Sequence, residues 1–504
     1  MATRLLGIDV GTGGTRAVLL DEAGRVVGSA TSEHAPISAP QIGWAEQHPD
    51  DWWRAACAAV KECLESTGTR ADEIAGIGLS GQMHGMVLLD DAGAVLRPAI
   101  IWCDQRSEEQ GRAITAKVGA QRLIELTANP ALTNFTLTKI WWVQQHEPQL
   151  WSRVRTVLLP KDYVRFRLTR AHAIDVADAS GTLLFDVVHR RWSVEMMEAS
   201  NVRPEILPKV LESPEISGRV SPEGTRATGL REGTPVVAGA GDQAAGAVGI
   251  GIVRPGAVSA TIGTSGVVFA ATSTPTLDPK GRIHTFCHAV PGRWHVMGVT
   301  QAAGYSLRWF RDEILATGDG AQRPSYDQLT AEAAKTNAGA DGLLWLPYLM
   351  GERTPHLDPD ARGALVGLTA QHTRGHVVRA ILEGVAFSLR DTLTIFGELR
   401  LPVESMRVGG GGARSPLWRQ IQADIYGMPV EVLAAEEGAA YGAGLLAGVG
   451  VGVWASVDSA CEATVRVAAR IAPEPSRVAT MNRQYAAYRN LYPALKASFH
   501  SAKA

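Results

Sequence analysis

Residues 4–20 read RLLGIDVGTGGTRAVLL: an apolar run, an acid, a glycine-rich turn and a second apolar run. Leu5, Leu6 and Ile8 predict a buried strand that ends at Asp9, and Ala17 to Leu20 predict a second. The turn between them, Gly11-Thr12-Gly13-Gly14, reads as a hairpin and not as the entrance to a helix. Glycines let backbone N–H groups approach an anion closely, and Thr12 and Thr15 add hydroxyl donors. An acid beside such a cradle suggests a phosphate with its divalent metal. An ordinary tight hairpin with Asp9 at its foot accounts for the same residues.

Residues 258–269, VSATIGTSGVVF, repeat the pattern of strand, Gly-Thr-x-Gly and strand. Gly11, Thr12 and Gly14 are matched by Gly263, Thr264 and Gly266, an offset of 263 − 11 = 252, half of the 504 residues. A repeat at half the chain length predicts two related domains facing one cleft.

Composition is that of a globular protein, with 45% hydrophobic and 20% charged residues. Lys+Arg 49 against Asp+Glu 51 leaves −2, which gives no global field for nucleic acid or an anionic membrane. Any anion site is therefore local. Five widely spaced cysteines, with no CxxC pair, argue for free thiols in a reducing, cytoplasmic setting and against zinc. No signal peptide opens the sequence, and no apolar run reaches the ~18 residues of a membrane span.

Between the hairpins the text alternates. Arg25–Ala30 predicts a third antiparallel strand, 49–66 a helix and 74–79 a buried strand leading into Ser80-Gly-Gln-Met-His-Gly85. Three antiparallel strands followed by alternating strand and helix indicate an α/β domain with a mixed sheet. Residues 107–212 read as mainly helical; Lys161–Tyr163 and Asp175–Gly181 are polar breaks that could line a cleft or simply cap helices. The Ser-, Pro- and Gly-rich text of 213–232 reads as a surface connection near a domain boundary. A strand at 406–408 runs into Gly409–Gly412, with Ser415 as N-cap and Pro416 at the first helical position. Glu436-Glu437-Gly438 opens a small-residue helix, and the last forty residues read as helix.

No Walker motif occurs, and the first glycine turn leads to a strand, which argues against a dinucleotide site. Phosphoryl transfer needs cradled phosphates, a metal and a base in line with the acceptor hydroxyl. The hairpins supply the first and Asp9 is a candidate for the second. Asp242, at the end of the strand 235–241, is the best base candidate; a helix N-cap is the competing reading.

The whole arrangement resembles the FGGY carbohydrate kinases, whose fold belongs to the actin and hexokinase group. The matching text includes IDVGTGGTRAVLLD at 8–21, SGQMHGMVLLD at 80–90, IIWCDQRS at 100–107, AGAGDQAAGAVGIG at 238–251, TIGTSG at 261–266, LPYLMGERTPH at 346–356 and VGGGGARSPLWRQIQADIYG at 408–427. The resemblance implies an α/β fold of two actin-like (ribonuclease H-like) domains, mixed sheets flanked by helices, with the active-site cleft between them. It places residues 1–245 in a sugar-binding domain and 246–504 in an ATP-binding one, with the final helix returning to the first.

It further implies ATP, Mg2+ and a pentulose, D-xylulose foremost, with ribulose, xylitol or arabinitol as other acceptors; a homodimer is the assembly considered. Asp242 would take the proton from the sugar's terminal hydroxyl, and Asp9 and Asp242 would serve the metal. The sugar would meet Asp9, Gln82, Met83, His84, Trp102, Asp104, Asp242 and Gln243. The phosphates would lie on Gly11, Thr12, Gly13, Thr15 and Arg16 and on Gly263, Thr264 and Ser265, and the nucleoside on Gly410, Gly411, Arg414 and Ser415. Gln243 stands where many relatives have Asn. An actin-like nucleotide switch and a non-catalytic sugar sensor are the readings from other classes; the Ser80–Gly85 text argues against the first and Asp242 against the second.

Overall fold

The structure, a computed structural model, describes residues 3–316, 323–434 and 438–501. Glu436 and Glu437 lie outside the described residues. Strands β1 (Arg4–Val10), β2 (Gly14–Asp21) and β3 (Val26–Glu33) form an antiparallel meander. Leu5, Leu6, Ile8 and Val10 are all buried, so β1 is covered on both faces, as a central strand must be. Helix α1 (Pro49–Thr67) starts on a proline and two acids, ends at left-handed Gly68 and packs its apolar stripe on β2 and β3. Strand β4 (Ile74–Gly81) then runs parallel to β1.

The sheet is completed by β5 (Ile216–Arg219), β6 (Pro235–Val237) and β7 (Ala240–Gly241), in the order β5-β6-β4-β1-β2-β3, with β7 also on β4. The stretch expected to be a surface connection, 213–232, is therefore built into the first sheet. Its Ser221 caps the helix Pro222–Thr228 and Gly229 ends it, so the Ser, Pro and Gly residues are helix punctuation. Residues 107–212 are largely helical as expected, among them α2 (Pro160–Thr169), but small two-stranded ribbons are set between the helices.

The second half restarts the same plan. Helix α3 (Asp242–Gly249) leads to β8 (Gly256–Ile262), β9 (Gly266–Thr272), β10 (His284–Cys287) and β11 (Trp294–Thr300). After α4 (Gly304–Trp309) and the long α5 (Arg374–Glu398) come β12 (Val403–Gly410), α6 (Pro416–Tyr426), β13 (Val430–Leu433), α7 (Gly438–Gly450), β14 (Val467–Ile471) and α8 (Pro475–Ser501). The order is β10-β11-β9-β8-β12-β13-β14. β12 lies parallel to β8 as β4 does to β1: Ile262 pairs with Gly410 where Val10 pairs with Gly81.

The two halves are interlocked. Helix α7, from the second half, packs on β1, β2 and β4 of the first sheet and along α3. This contact is backbone to backbone: a Cβ on Gly78 would lie 1.9 Å from the Ala443 carbonyl oxygen, and one on Gly442 1.8 Å from that of Ala245. The final helix α8 does not return to the first domain as expected. Its Met481, Tyr485, Tyr488, Tyr492 and Phe499 join the second core, and it packs on α5 and α6. The β10–β11 ribbon is tied to the first half through Asn129 Nδ2 to the Thr285 carbonyl (2.8 Å), Cys287 N–H to Ser180 Oγ (3.0 Å) and Trp294 Nε1 to the Val187 carbonyl (2.7 Å). All five cysteines are free thiols, and among the described residues no helix is long and apolar enough to cross a membrane.

Candidate active site

Strands β1, β4 and β7 are parallel, and their carboxyl ends open on one crevice, where open α/β sheets bind ligands. Asp9 pairs with Ser80 on one side of β4 and Ala240 pairs with it on the other. Two strand spacings of ~4.8 Å put the backbones of Asp9 and Ala240 roughly 10 Å apart. Asp242 follows two residues later as the first residue of α3. The N-cap is Gly241, with no side-chain cap, so the Asp242 carboxylate is not spent on capping. Burial and the nearby Asp9 charge push Asp242 up to about 7, against hydrogen bonds from Gln243 that lower it. Burial raises Asp9 to about 6, with Ser80 and Arg16 pulling the other way. The Asp9 Oδ1 atom is buried without a hydrogen-bond partner.

The first hairpin has its carbonyls taken by the protein itself. Gln47 Nε2 donates to the Thr12 carbonyl (2.7 Å), Gln82 Nε2 to that of Gly11 (3.3 Å) and the His34 N–H to that of Gly13 (3.0 Å). In the second hairpin the α4 N-terminus plays this part, with Gly304 N–H on the Gly263 carbonyl (2.9 Å) and Tyr305 N–H on that of Thr264 (3.2 Å). The amides of Thr12, Gly13, Thr264 and Ser265 find no partner among the described residues. Both tips are thus donor-rich and acceptor-poor, which suits phosphate oxygens.

Thr15 departs from its expected part: it is fully buried and its hydroxyl is bound by His34 Nε2 (2.8 Å). Arg16 stands opposite Asp9 on β2, its Nη2 donating to Ser29 Oγ (3.4 Å).

His84, at a left-handed φ of 67°, is buried between Phe135 and Phe286. Burial lowers its pKa to about 3, so the ring is neutral. Its Nδ1 lies 2.8 Å from the Gly181 carbonyl, which can only accept. The proton is therefore assigned to Nδ1, leaving Nε2 an acceptor for a ligand hydroxyl. Met83 packs against the β7 end, where a Cβ on Gly241 would come within 2.8 Å of its Cγ. Gln82 is a brace shared by Gly11 and Gln47 Oε1 (2.9 Å). Trp102, 40% exposed, is not core; its Nε1 donates to Thr12 Oγ1 (3.0 Å) at the hairpin tip.

Asp104 does not face a ligand. It is fully buried, with both oxygens engaged by Arg106 and by the Ala45 N–H (2.5 Å).

On the second sheet Gly410, at φ 71°, ends β12 where a Cβ would meet the Ile262 carbonyl oxygen at 2.6 Å, and Gly411 begins a short 3-10 turn that leads to Arg414. Ser415 is occupied as the cap of α6, accepting from Trp418 N–H (3.3 Å). A pocket of about 280 Å³ lies between α3 and the β8–β9 hairpin, lined by Asp242, Gln243, Gly246, Thr261, Gly263 and Ser265 among others. It joins the base candidate to the second cradle.

Sequence reasoning missed the braces: His34, Gln47 and the Gly304–Tyr305 amides carry no motif and are brought to the hairpins only by the fold. Of the two readings of the polar breaks at 161–163 and 175–181, capping holds at Asp175, which accepts from the N–H groups of Ala177 and Asp178 as a helix N-cap, and the cleft does not. Both breaks are sealed under β7, where Lys161 Nζ is paired with Asp162 and Asp175 (2.6 Å each) and Asp178 (3.0 Å), all fully buried.

Comparison with known proteins gives the family. The model of the N-terminal domain of the FGGY family of carbohydrate kinases matches residues 4–249, and that of its C-terminal domain residues 258–451. The chain is 39% identical over 488 residues to xylulose kinase of Bacillus subtilis (strain 168), covering 97% of this chain and 96% of that one. It is 40% identical over 443 residues to xylulose kinase of Escherichia coli (strain K12), covering 88% and 89%. The crystal structure of xylulose kinase from Rhodospirillum rubrum superposes with a TM-score of 0.91 at 33% identity, covering 99% of this chain and all of that one.

Proposed function

This chain belongs to the FGGY family of carbohydrate kinases, and from that premise we propose that it transfers the γ-phosphoryl group of ATP to the terminal hydroxyl of D-xylulose, giving D-xylulose 5-phosphate. The observation that carries the reading is the pair of enclosed carboxylates, Asp9 and Asp242, at the ends of parallel strands beside the Met83–His84 loop. The acceptor is argued from end-to-end similarity to proteins named xylulose kinase.

Asp242 takes the proton of the acceptor hydroxyl as that oxygen bonds to the γ-phosphorus. The bond from phosphorus to the β–γ bridging oxygen breaks, and its electron pair leaves with ADP. A base near pKa 7 is matched to this task at neutral pH. Gln243 orients the Asp242 carboxylate through its hydrogen bond. Nε2 of His84 accepts from a sugar hydroxyl remote from the reacting one. The amides of Thr12, Gly13, Thr264 and Ser265 hold the phosphates, and Gly410 and Gly411 leave room for the nucleoside with Arg414 at its edge. Asp9, whose Oδ1 is buried and unpartnered, and Asp242 fit a hard divalent cation such as Mg2+. When bound there, such an ion would neutralise charge developing on the phosphoryl oxygens.

The test is coupled ADP release across D-xylulose, D-ribulose, xylitol and arabinitol. D-xylulose is expected to give the highest kcat/KM, and Asp242→Ala to cost on the order of 10²-fold or more in turnover with the melting transition retained. ADP release indifferent to every sugar, or near-normal turnover in the variant, would overturn the acceptor or the base respectively.

A further inference from the structure

Arg353 lies in the loop between the paired strands Leu344–Leu346 and Ala364–Val366, and its neighbours fasten that loop to the end of β11. The buried Glu352 carboxylate accepts from the N–H groups of Gln301 (3.1 Å) and Arg353 (2.7 Å) and from the Thr300 hydroxyl. Thr354 donates its N–H to the Val299 carbonyl (3.0 Å), and its hydroxyl accepts the Val299 N–H (3.1 Å) and donates to the Arg282 carbonyl (2.8 Å). With both neighbours fixed, the backbone of Arg353 is fixed as well.

Its guanidinium is not. Among the described residues no ion pair, hydrogen bond or aromatic ring engages it. The residue is enclosed deeply enough for desolvation to disfavour its charge, yet it is only half-buried and stays open to solvent. That combination describes the wall of a cleft. The neighbouring Glu352 charge acts on Arg353, but the Glu352 oxygens are engaged by Thr300 and by the N–H groups of Gln301 and Arg353, so a desolvated cation keeps five donors in a rigid fork idle. The loop is bonded through Thr354 to the Arg282 carbonyl, two residues before His284, whose ring meets Phe135 at 5.5 Å as His84 does at 5.0 Å; the Arg353 charge is felt by both histidines. Arg353 therefore stands on the His84 side of the cleft.

We propose that Arg353 is an acceptor-binding residue supplied by the second half of the chain. It donates to the oxygens at the end of the sugar remote from the transferred phosphoryl group, opposite His84. Two oxygens on adjacent carbons, such as the C1 hydroxyl and C2 carbonyl of a ketose, suit the guanidinium fork, and the same fork takes a carboxylate in bidentate fashion. An open-chain aldonate, with its carboxylate in place of that head, is thus a ligand of this subsite. The inference rests on the sugar-kinase reading above.

D-xylonate is the probe. Calorimetry is expected to detect its binding to the wild-type protein, and steady-state kinetics to show competition with D-xylulose. Arg353→Met should weaken D-xylonate binding tenfold or more and raise the D-xylulose KM by a similar factor, with the ATP KM changed less than twofold. Arg353→Lys should recover part of both losses, and should Arg353→Met not fold, Arg353→Gln carries the same comparison. Unchanged D-xylonate binding and D-xylulose KM in the neutral variant would overturn the proposal, as would a loss confined to kcat or to the ATP KM. Calorimetry needs no turnover, so a wild-type protein that binds D-xylonate through Arg353 but does not phosphorylate D-xylulose would count against the kinase reading alone.

Discussion

Asp9 and Asp242 flank the end of one strand, β4, and the charge on the first raises the pKa of the second. Burial is the larger cause and acts on both. The pair is a poised site: one carboxylate is held near its deprotonation point by the low-dielectric crevice and by its partner.

The pH dependence follows directly. Asp242 works as a base only when ionised, so kcat/KM for the sugar should fall about tenfold per unit below pH ~7. Replacing Asp9 by Asn removes the neighbouring charge and should move the limb, measured on the residual activity, to lower pH. A limb near pH 4 in the wild type would mean that another group sets the profile.

Stability has the opposite sign. The folded-state pKa of Asp242 is raised from 3.8 to about 7, so folding favours its protonated form. The stabilisation from that proton is complete below about pH 4 and is lost as pH rises through about 7. Asp242→Asn, neutral throughout, should melt a few degrees above the wild type at pH 8 and level with it near pH 4, as read by calorimetric scans. A gap independent of pH would show that the carboxylate is not desolvated.

His84 can offer a ligand only an acceptor, because its Nδ1 proton is spent on Gly181. His84→Ala should raise the D-xylulose KM about tenfold while sparing the ATP KM; His84→Gln, which can present a carbonyl oxygen, should lose less. Equal effects on both substrates would place His84 outside the sugar contact.

Gln47 acts on the other substrate. Its Nε2 holds the Thr12 carbonyl and its Oε1 receives Trp52 Nε1 (3.1 Å) and Gln82 Nε2 (2.9 Å). Gln47→Leu releases the first hairpin and should raise the ATP KM several-fold with a smaller change for the sugar. Separate titrations of the two substrates check this.

The helix crossing is the most sensitive packing point. Gly442→Val drives a side chain into the Ala245 carbonyl and should lower stability by about 2 kcal/mol or more in denaturant unfolding. A neutral result would mean that α3 and α7 can separate at little cost.

The duplicated hairpins were legible because the offset of 252 holds along the first strand, where Asp9 and Val10 take the places of Thr261 and Ile262; it breaks at the turn, since the second hairpin is one residue tighter and Ile262 pairs with Gly266 where Val10 pairs with Thr15. Asp242 was legible as a candidate, and the competing N-cap reading dissolved only when Gly241 proved to be the cap. What could not be read were partners remote in sequence. Thr15 looks like a phosphate donor until His34 folds over it, and Asp104 like a sugar contact until Arg106 and Ala45 enclose it. A motif fixes residue type and spacing, whereas competition for a hydroxyl or carboxylate is settled by loops whose return path has no local signature. Helix α7 gave no sign of its destination for the same reason, since small residues suit any close-packed face.

That destination has a consequence for how the protein is made. The cover over the first sheet is encoded at 438–450, so about nine-tenths of the chain (450 of 504) must be synthesised before the face bearing Leu5, Val18 and Leu20 is closed. At ribosomal rates of ~5–20 residues per second, the roughly 200 residues between α3 and the end of α7 take ~10–40 s. During that interval the nascent first half presents an uncapped apolar sheet to the cell. A fragment ending between the two family domains would remain permanently in that state, so the halves, though duplicated in plan, are not separable modules.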